Sequence, residues 1–242
     1  MKNNQLFFSI LFSLIFSLSV VAQEVEINSD KVQYDNIKKI TIFEGNVNSE
    51  DQKGNKIFSE YTKYNKLEGI IETKGKTKII TSAGYEVLSS DVIYDNKKNL
   101  IYSAKKTEIT DKDGNNISVE MFSYSVLTNI FFSKGNITIK DINKNNYNFS
   151  EVYIDEKKKQ IIGSDIRAFL KQPGISLNVD NDPRFFANTM QLTEKTNIFE
   201  KGIFTYCKNK GDDKCPPWAL QSKRIRHDLA KKTIYYDNVV LK

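Results

Sequence analysis

The stretch Val32-Gln33-Tyr34-Asp35-Asn36-Ile37-Lys38-Lys39-Ile40-Thr41-Ile42-Phe43-Glu44-Gly45-Asn46-Val47 decides how this chain folds. It reads as a β-rich run, a turn over residues 35–39 and a second β-rich run. Asp and Asn supply the local hydrogen bonds and tolerated φ values that tight turns need. The pattern then recurs. Tyr34, Tyr64, Tyr94 and Tyr124 stand thirty residues apart, with Ile154 in the fifth slot. Two residues earlier in each copy come Val32, Thr62, Val92, Phe122 and Val152. Three more columns keep the register: Gly45, Gly75, Lys105, Gly135 and Asp165; Gly54, Gly84, Gly114 and Lys144; Ile57, Val87, Ile117 and Tyr147. Several columns in one register mark a structural repeat covering about residues 27–172.

The phase of the apolar positions says more than their number. Ile57 differs in parity from Thr62 and Tyr64, and Ile40 and Ile42 differ in parity from Val47 and Ser49. A strand alternates its side chains, so both halves can face one interior only through a bulge or bend. Gly45 lies where the second switch occurs and admits a bulge conformation. After the N-terminal apolar run no stretch carries a sustained helical period. The expected fold is therefore all-β: an elongated antiparallel rolled stack, or β-jelly roll, of about five thirty-residue units with open ends.

The composition agrees. Of 242 residues 39% are hydrophobic, a low share, yet 15 are Phe and 12 are Tyr, too many for a disordered chain. A thin sheet with much exposed surface reconciles the two. The net charge of +6 invites a nucleic-acid reading, which the N-terminus opposes. Lys2 precedes an uncharged apolar run from Leu6 to Val21, and Val20 and Ala22 are small residues before polar Gln23-Glu24. This is the layout of a secretory signal cut after residue 22; as a membrane anchor the run would be short. Export excludes a nucleic-acid partner, and no cysteine follows the cut to accept a lipid. The chain divides into a signal (1–22), the repeat β-structure (23–180) and a continuation (181–242).

That last part is distinctive. Asp182-Pro183-Arg184 reads as a break. Then come Gly202-Ile203-Phe204-Thr205-Tyr206-Cys207, Cys215-Pro216-Pro217-Trp218 and Arg226-His227-Asp228. Asp228 to Asn238 spans the same ten residues as Asp35 to Gly45, so the strand-turn-strand unit returns. The Val32-Gln33-Tyr34-Asp35 and Glu44-Gly45-Asn46-Val47 unit resembles the OstA-type domain of the lipopolysaccharide-transport bridge proteins. The C-terminal motifs resemble the segment before the transmembrane barrel in the LptD (organic-solvent-tolerance) family of lipopolysaccharide-assembly outer-membrane proteins. The resemblance extends over nearly all of the chain after the signal. It departs in one respect: the family's barrel is not in the sequence, and Lys242 ends in a strand-like run, as in a fragment or a truncated relative.

The resemblance implies a periplasmic or outer-membrane location and an interior that receives lipopolysaccharide acyl chains and passes them toward the outer membrane. Ile40, Val47, Ile79, Ile109, Ile137 and Ile139 are then candidate lining residues, with Tyr34, Tyr64, Tyr94 and Tyr124 lining or capping the groove. Simple core filling explains the same periodicity. It further implies an OstA-like bridge partner joined by edge-strand β-augmentation and an outer-membrane lipoprotein partner reached through the barrel. Cys207 and Cys215 are separated by seven intervening residues, and a disulfide is the leading reading in an exported chain. They can pair with each other or, as the resemblance implies, with barrel residues. Zinc lacks a fourth ligand beside these cysteines and His227. No catalytic triad, paired-carboxylate motif or phosphate loop stands out, so neither an enzyme nor a cofactor is expected. Three other readings stay in view: a stand-alone periplasmic bridge protein, a secreted structural or adhesive repeat protein, and a β-solenoid enzyme acting on polysaccharide.

Overall fold

The computed structural model describes residues 25–52, 54–169, 181–193, 195–208, 218–228, 230–231 and 233–242. The signal reading and Cys215 fall outside them, as does the side chain of Cys207. The nineteen strands among these residues are β1 (Val25–Asn28), β2 (Lys31–Asp35), β3 (Ile40–Asp51), β4 (Lys56–Asn65), β5 (Ile70–Thr73), β6 (Lys76–Ile80), β7 (Glu86–Ser90), β8 (Ile93–Asp95), β9 (Leu100–Ser103) and β10 (Thr107–Thr110), then β11 (Asn116–Val119), β12 (Phe122–Ser125), β13 (Ile130–Lys140), β14 (Asn146–Asp155), β15 (Gln160–Phe169), β16 (Asn181–Leu192), β17 (Thr196–Lys208), β18 (Leu220–Asp228) and β19 (Thr233–Leu241). They form one antiparallel sheet, and the described residues contain no helix.

The sheet is folded lengthwise. β3 pairs through residues 40–44 with the second half of β4, and through 47–50 with its first half; the register shifts between Glu44 and Val47. β13 and β14 repeat the shift between Lys134 and Ile137. From β5 to β12 the fold line breaks the strand outright. β4 pairs with β5 through residues 62–65 and with β6 through 56–59. Two walls result, facing each other across one interior.

Backbone conformation shows why the repeat has its columns. At the fold line Gly45, Gly75, Gly135 and Asp165 take positive φ, as does Asn238 in the final unit. Lys105 does not share this conformation; the chain there is interrupted between β9 and β10 instead. At the rim of the first wall, Lys39, Gly69, Asn99, Asn129 and Lys159 close each turn at φ 49–72°. At the rim of the second wall, Gly54, Gly84, Gly114 and Lys144 do so at 64–89°. Asp35, Asn65, Asp95, Ser125 and Asp155 cap the first set through their side-chain oxygens. Asp51, Thr81, Asp111 and Asp141 cap the second. Successive turns are also joined: the backbone amides of Lys66, Asn96, Val126 and Glu156 donate to Lys39, Gly69, Asn99 and Asn129 of the preceding turn.

Asp182-Pro183-Arg184 is not a break. β16 runs through it, with Pro183 opposite Tyr206. Pairing with β15 stops at Arg184, so proline's lost donor costs no ladder bond on that side.

The floor beneath the fold line changes along the stack. In the early units it is made of small hydroxyls bonded to each other: Ser59 to Thr62, Thr73 to Thr77 and Ser89 to Thr107, at 2.7–2.8 Å. In the later units Val119 and Ile137 stand thirty residues on from Ser89 and Thr107, and Val152, Ile166 and Ile225 are likewise almost fully buried. Buried hydroxyls persist at Ser133, Thr205 and Ser222, and Val47 is already buried in the first unit. Each such aliphatic side chain contributes on the order of 1.5–3 kcal/mol. The bulk needs room, which Gly163 provides: a Cβ there would meet Phe149 Cδ1 at 2.5 Å. Gly163→Ala is therefore expected to cost about 1–3 kcal/mol in urea unfolding, and adding Phe149→Leu is expected to recover part of it. A loss under about 0.5 kcal/mol, the range of a neutral surface change, would show that this contact does not set the packing.

Candidate functional site

Two rows of side chains run the length of the interior, one per wall. The first is a chain of direct cross-strand partners: Tyr34, Thr41, Tyr64, Ile71, Tyr94, Ile101, Tyr124, Phe131, Ile154, Ile161, Leu192, Asn197, His227 and Ile234. The second is Ile27, Ser49, Ile57, Ile79, Val87, Ile109, Ile117, Ile139, Tyr147, Ala168, Phe185, Phe204, Leu220 and Leu241. With strands about 4.8 Å apart, each row extends for about 60 Å. Apart from the first few rungs and the Asn197–His227 pair, both rows are aliphatic or aromatic.

The rows do not close completely on each other. Two adjoining cavities of about 70 and 160 Å³ lie between them in the early and middle units. They share Ile79, Thr81, Ile101, Tyr124 and Glu156. A third of about 120 Å³ lies further along, between Tyr147, Phe185, Met190, Phe199, Ile225 and His227. The larger space sits over the hydroxyl floor of Thr62 and Thr73, whose side chains are short.

Ile79, Tyr94, Ile109 and Tyr124 line these cavities. Tyr64 and Ile139 stand in the rows; Val47 and Ile137 are buried below them at the fold line. Tyr34 belongs to the first row, but in the outermost unit it is 56% exposed. Ile40 is a correction: it neighbours Thr41 and so projects from the opposite face. Sequence reasoning passed over Ile71, Ile101, Phe131 and Ile161, themselves thirty apart, because they mirror the tyrosine column only across a hairpin. It also missed Tyr85 and Glu156. His227 is a strand residue in the first row, and Trp218 packs edge-on against Phe204 at 6.1 Å. Cys207 has its backbone in β17 opposite Asp182. No group of metal-binding side chains occurs among the described residues.

The tyrosines give the mouth its polarity. Tyr124 donates to Glu156 Oε2 at 3.0 Å and accepts from Asn129 Nδ2 at 3.0 Å. Burial, then the Glu156 charge and this hydrogen bond, push its phenol up to about 12. Burial and Asp141 do the same for Tyr147, also to about 12. Burial raises Tyr85 and Tyr94 as well, with Glu156 and Asp51 as the next causes. The hydroxyls of Tyr124 and Tyr147 thus meet the Glu156 and Asp141 carboxylates at the rim, whereas that of Tyr94 donates to the Asn96 amide oxygen.

No protein family matches the chain, and no curated protein matches it. Among solved structures, a similar one is that of LptH, described as the LptA-homologous periplasmic component of the lipopolysaccharide transport device of Pseudomonas aeruginosa. The identity is 13% and the TM-score 0.41, over 46% of this chain and 82% of that one.

Between the ordinary phenol pKa of 10.0 and about 12, folded Tyr124 and Tyr147 hold protons that the unfolded chain has released. Their contribution to stability is whole below pH 10 and is lost as the pH rises through 12. Ultraviolet titration is expected to show late tyrosine ionisation that Tyr124→Phe and Tyr147→Phe each reduce. A single phenol transition near the ordinary value would contradict this.

Proposed function

We propose that the chain is a lipid-conducting module of the lipopolysaccharide transport machinery, exported to the periplasm, taking acyl chains between its two walls. The observation that carries this reading is the pair of inward apolar rows. They are continuous through five units, face each other and leave space between them. A simple core would close that space. Support also comes from the resemblance of the Val32-Gln33-Tyr34-Asp35 and Glu44-Gly45-Asn46-Val47 unit to the OstA-type domain.

Within this reading the chain acts as a bridge segment. The stack has a strand edge at each end, and β19 at one of them exposes Val239, Val240 and Leu241. Such an edge accepts another strand, and an OstA-like neighbour is the partner proposed for it. The finer LptD role would add the lipoprotein partner and a disulfide from Cys207 or Cys215 to a barrel. Reducing and non-reducing electrophoresis of the protein from its own cells separates the two, since only the LptD role gives a cross-link beyond this module. Chemistry on the lipid is not proposed.

A photo-crosslinking residue at Ile79 or Ile109 is expected to capture lipopolysaccharide in cells, whereas one at Lys78, on the opposite face, is not. Adducts confined to Lys78 would refute an internal path.

A further inference from the structure

The repeat is interrupted at the place where the first two cavities meet. On the rim of the second wall the thirty-residue column reads Asn55, Tyr85, Asn115 and Asn145. On the rim of the first wall the column two residues past the tyrosines reads Asn36, Lys66, Asn96, Val126 and Glu156. Tyr34 and Tyr94 donate to Asn36 and Asn96 of their own turns, at 3.5 and 3.2 Å. Val126 has no side-chain acceptor, and Tyr124 reaches into the next unit, to Glu156. Tyr85 and Glu156 both line the smaller cavity; Val126 and Glu156 both line the larger. Three departures from the repeat therefore converge on one junction.

Glu156 brings the one carboxylate to the smaller, largely apolar cavity. The larger, whose lining includes several Ser, Thr and Asn side chains, it shares with Asp51, which accepts from Asn55 Nδ2 at 2.8 Å. A carboxylate offers about four acceptor sites, and the Tyr124 hydroxyl uses one. The lysines next to it in sequence are directed elsewhere: Lys157 Nζ donates to the Leu127 carbonyl, and Lys158 pairs with Asp155. The rings of Tyr85 and Tyr124 stand at the same cavity, and the face of a tyrosine attracts a cation.

We propose that this junction binds the ammonium head of an amphiphile, with Glu156 accepting its N–H donors, Tyr85 and Tyr124 beside the cation, and the hydrocarbon chain lying along the apolar rows. The inference rests on the apolar groove of the reading above, not on the identity of its cargo, and adds a second, cationic class of amphiphile. It runs against the net charge of +6, which by itself would favour an anionic head. A preference for ammonium can therefore come only from a local site.

The test uses the full chain and the apolar dye N-phenyl-1-naphthylamine, displaced by dodecylamine or by dodecanoate below their micelle-forming concentrations. Dodecylamine is expected to compete at about tenfold lower concentration than dodecanoate, the scale of one favourable charge contact in a partly buried site. Glu156→Gln is expected to bring the two within about twofold, each competitor's concentration being read relative to the dye affinity measured for that same variant. Glu108→Gln, which removes a carboxylate bonded to Ser118 on the opposite face from Ile109, is expected to keep the preference. An unchanged preference in Glu156→Gln, or equal competition by both amphiphiles in the unaltered chain, would overturn this inference and leave the groove reading standing. Failure of the dye to bind at all would overturn both.

Discussion

The whole structure depends on a reversal of side-chain parity once per strand. A pleated strand can bury one face only, and a long strand that keeps its phase makes a flat sheet. Here the phase flips at a left-handed residue or a strand break, so both halves of each strand turn their apolar side chains into the same interior. Gly45 and Gly135 do this within continuous strands, beside the register shifts. Gly75 does it between two short ones. Asp165 and Asn238 do it without the freedom of glycine, which costs something but is tolerated by Asp and Asn. Once the flips are aligned, the walls, the fold line and the rims follow from antiparallel pairing alone.

Alignment of the flips is in turn secured at the rims. Turns on the first-wall rim are capped by their own side chains and, after the first, bonded by backbone to the turn before. On the second-wall rim Asn55 and Asn115 accept from Ser82 and Ile142 of the next turn, so a unit cannot slip without breaking these bonds. Of the polar groups buried in the early floor, Ser59, Thr62, Thr73, Thr77, Ser89 and Thr107 satisfy one another. An unpaired hydroxyl there would cost about 1–3 kcal/mol. The hydroxyl floor thus keeps the early units shallow without a penalty, and the space that larger side chains fill in later units stays open.

Much of this was legible in the sequence, because a repeat converts position into geometry. The column at Gly45, Gly75 and Gly135 predicted the fold line, and Gly54, Gly84 and Gly114 predicted one rim. Individual lining residues were less legible. Val47 and Ile137 share the apolar character of Ile79 and Ile109 yet lie below the groove, since depth beneath the fold line depends on the distance from the flip. Ile40 fails by one residue of parity. Glu156 could not be found from its neighbours Lys157 and Lys158, which make it look like part of a solvated charged turn. Its position follows from a hydrogen bond to a tyrosine 32 residues earlier. The reading of the cysteines draws on resemblance and lies outside what pairing and register address.

A wall built from repeating columns also has an energetic consequence. Moving a hydrocarbon chain by one unit exchanges Ile57 for Val87 or Ile117, and Ile71 for Ile101 or Phe131. The side chains it leaves behind are close in kind to those it meets next. If the groove carries such a chain as proposed, its free energy is nearly flat along the middle units, with small barriers between equivalent positions. Such a profile suits passage more than storage. A departure from the repeat is what would make one position different from its neighbours, and the carboxylate of Glu156 at the junction of two cavities is such a departure. On the groove reading, nearly uniform middle walls and the polar step at Glu156 together would make a path with a preferred stop at that junction.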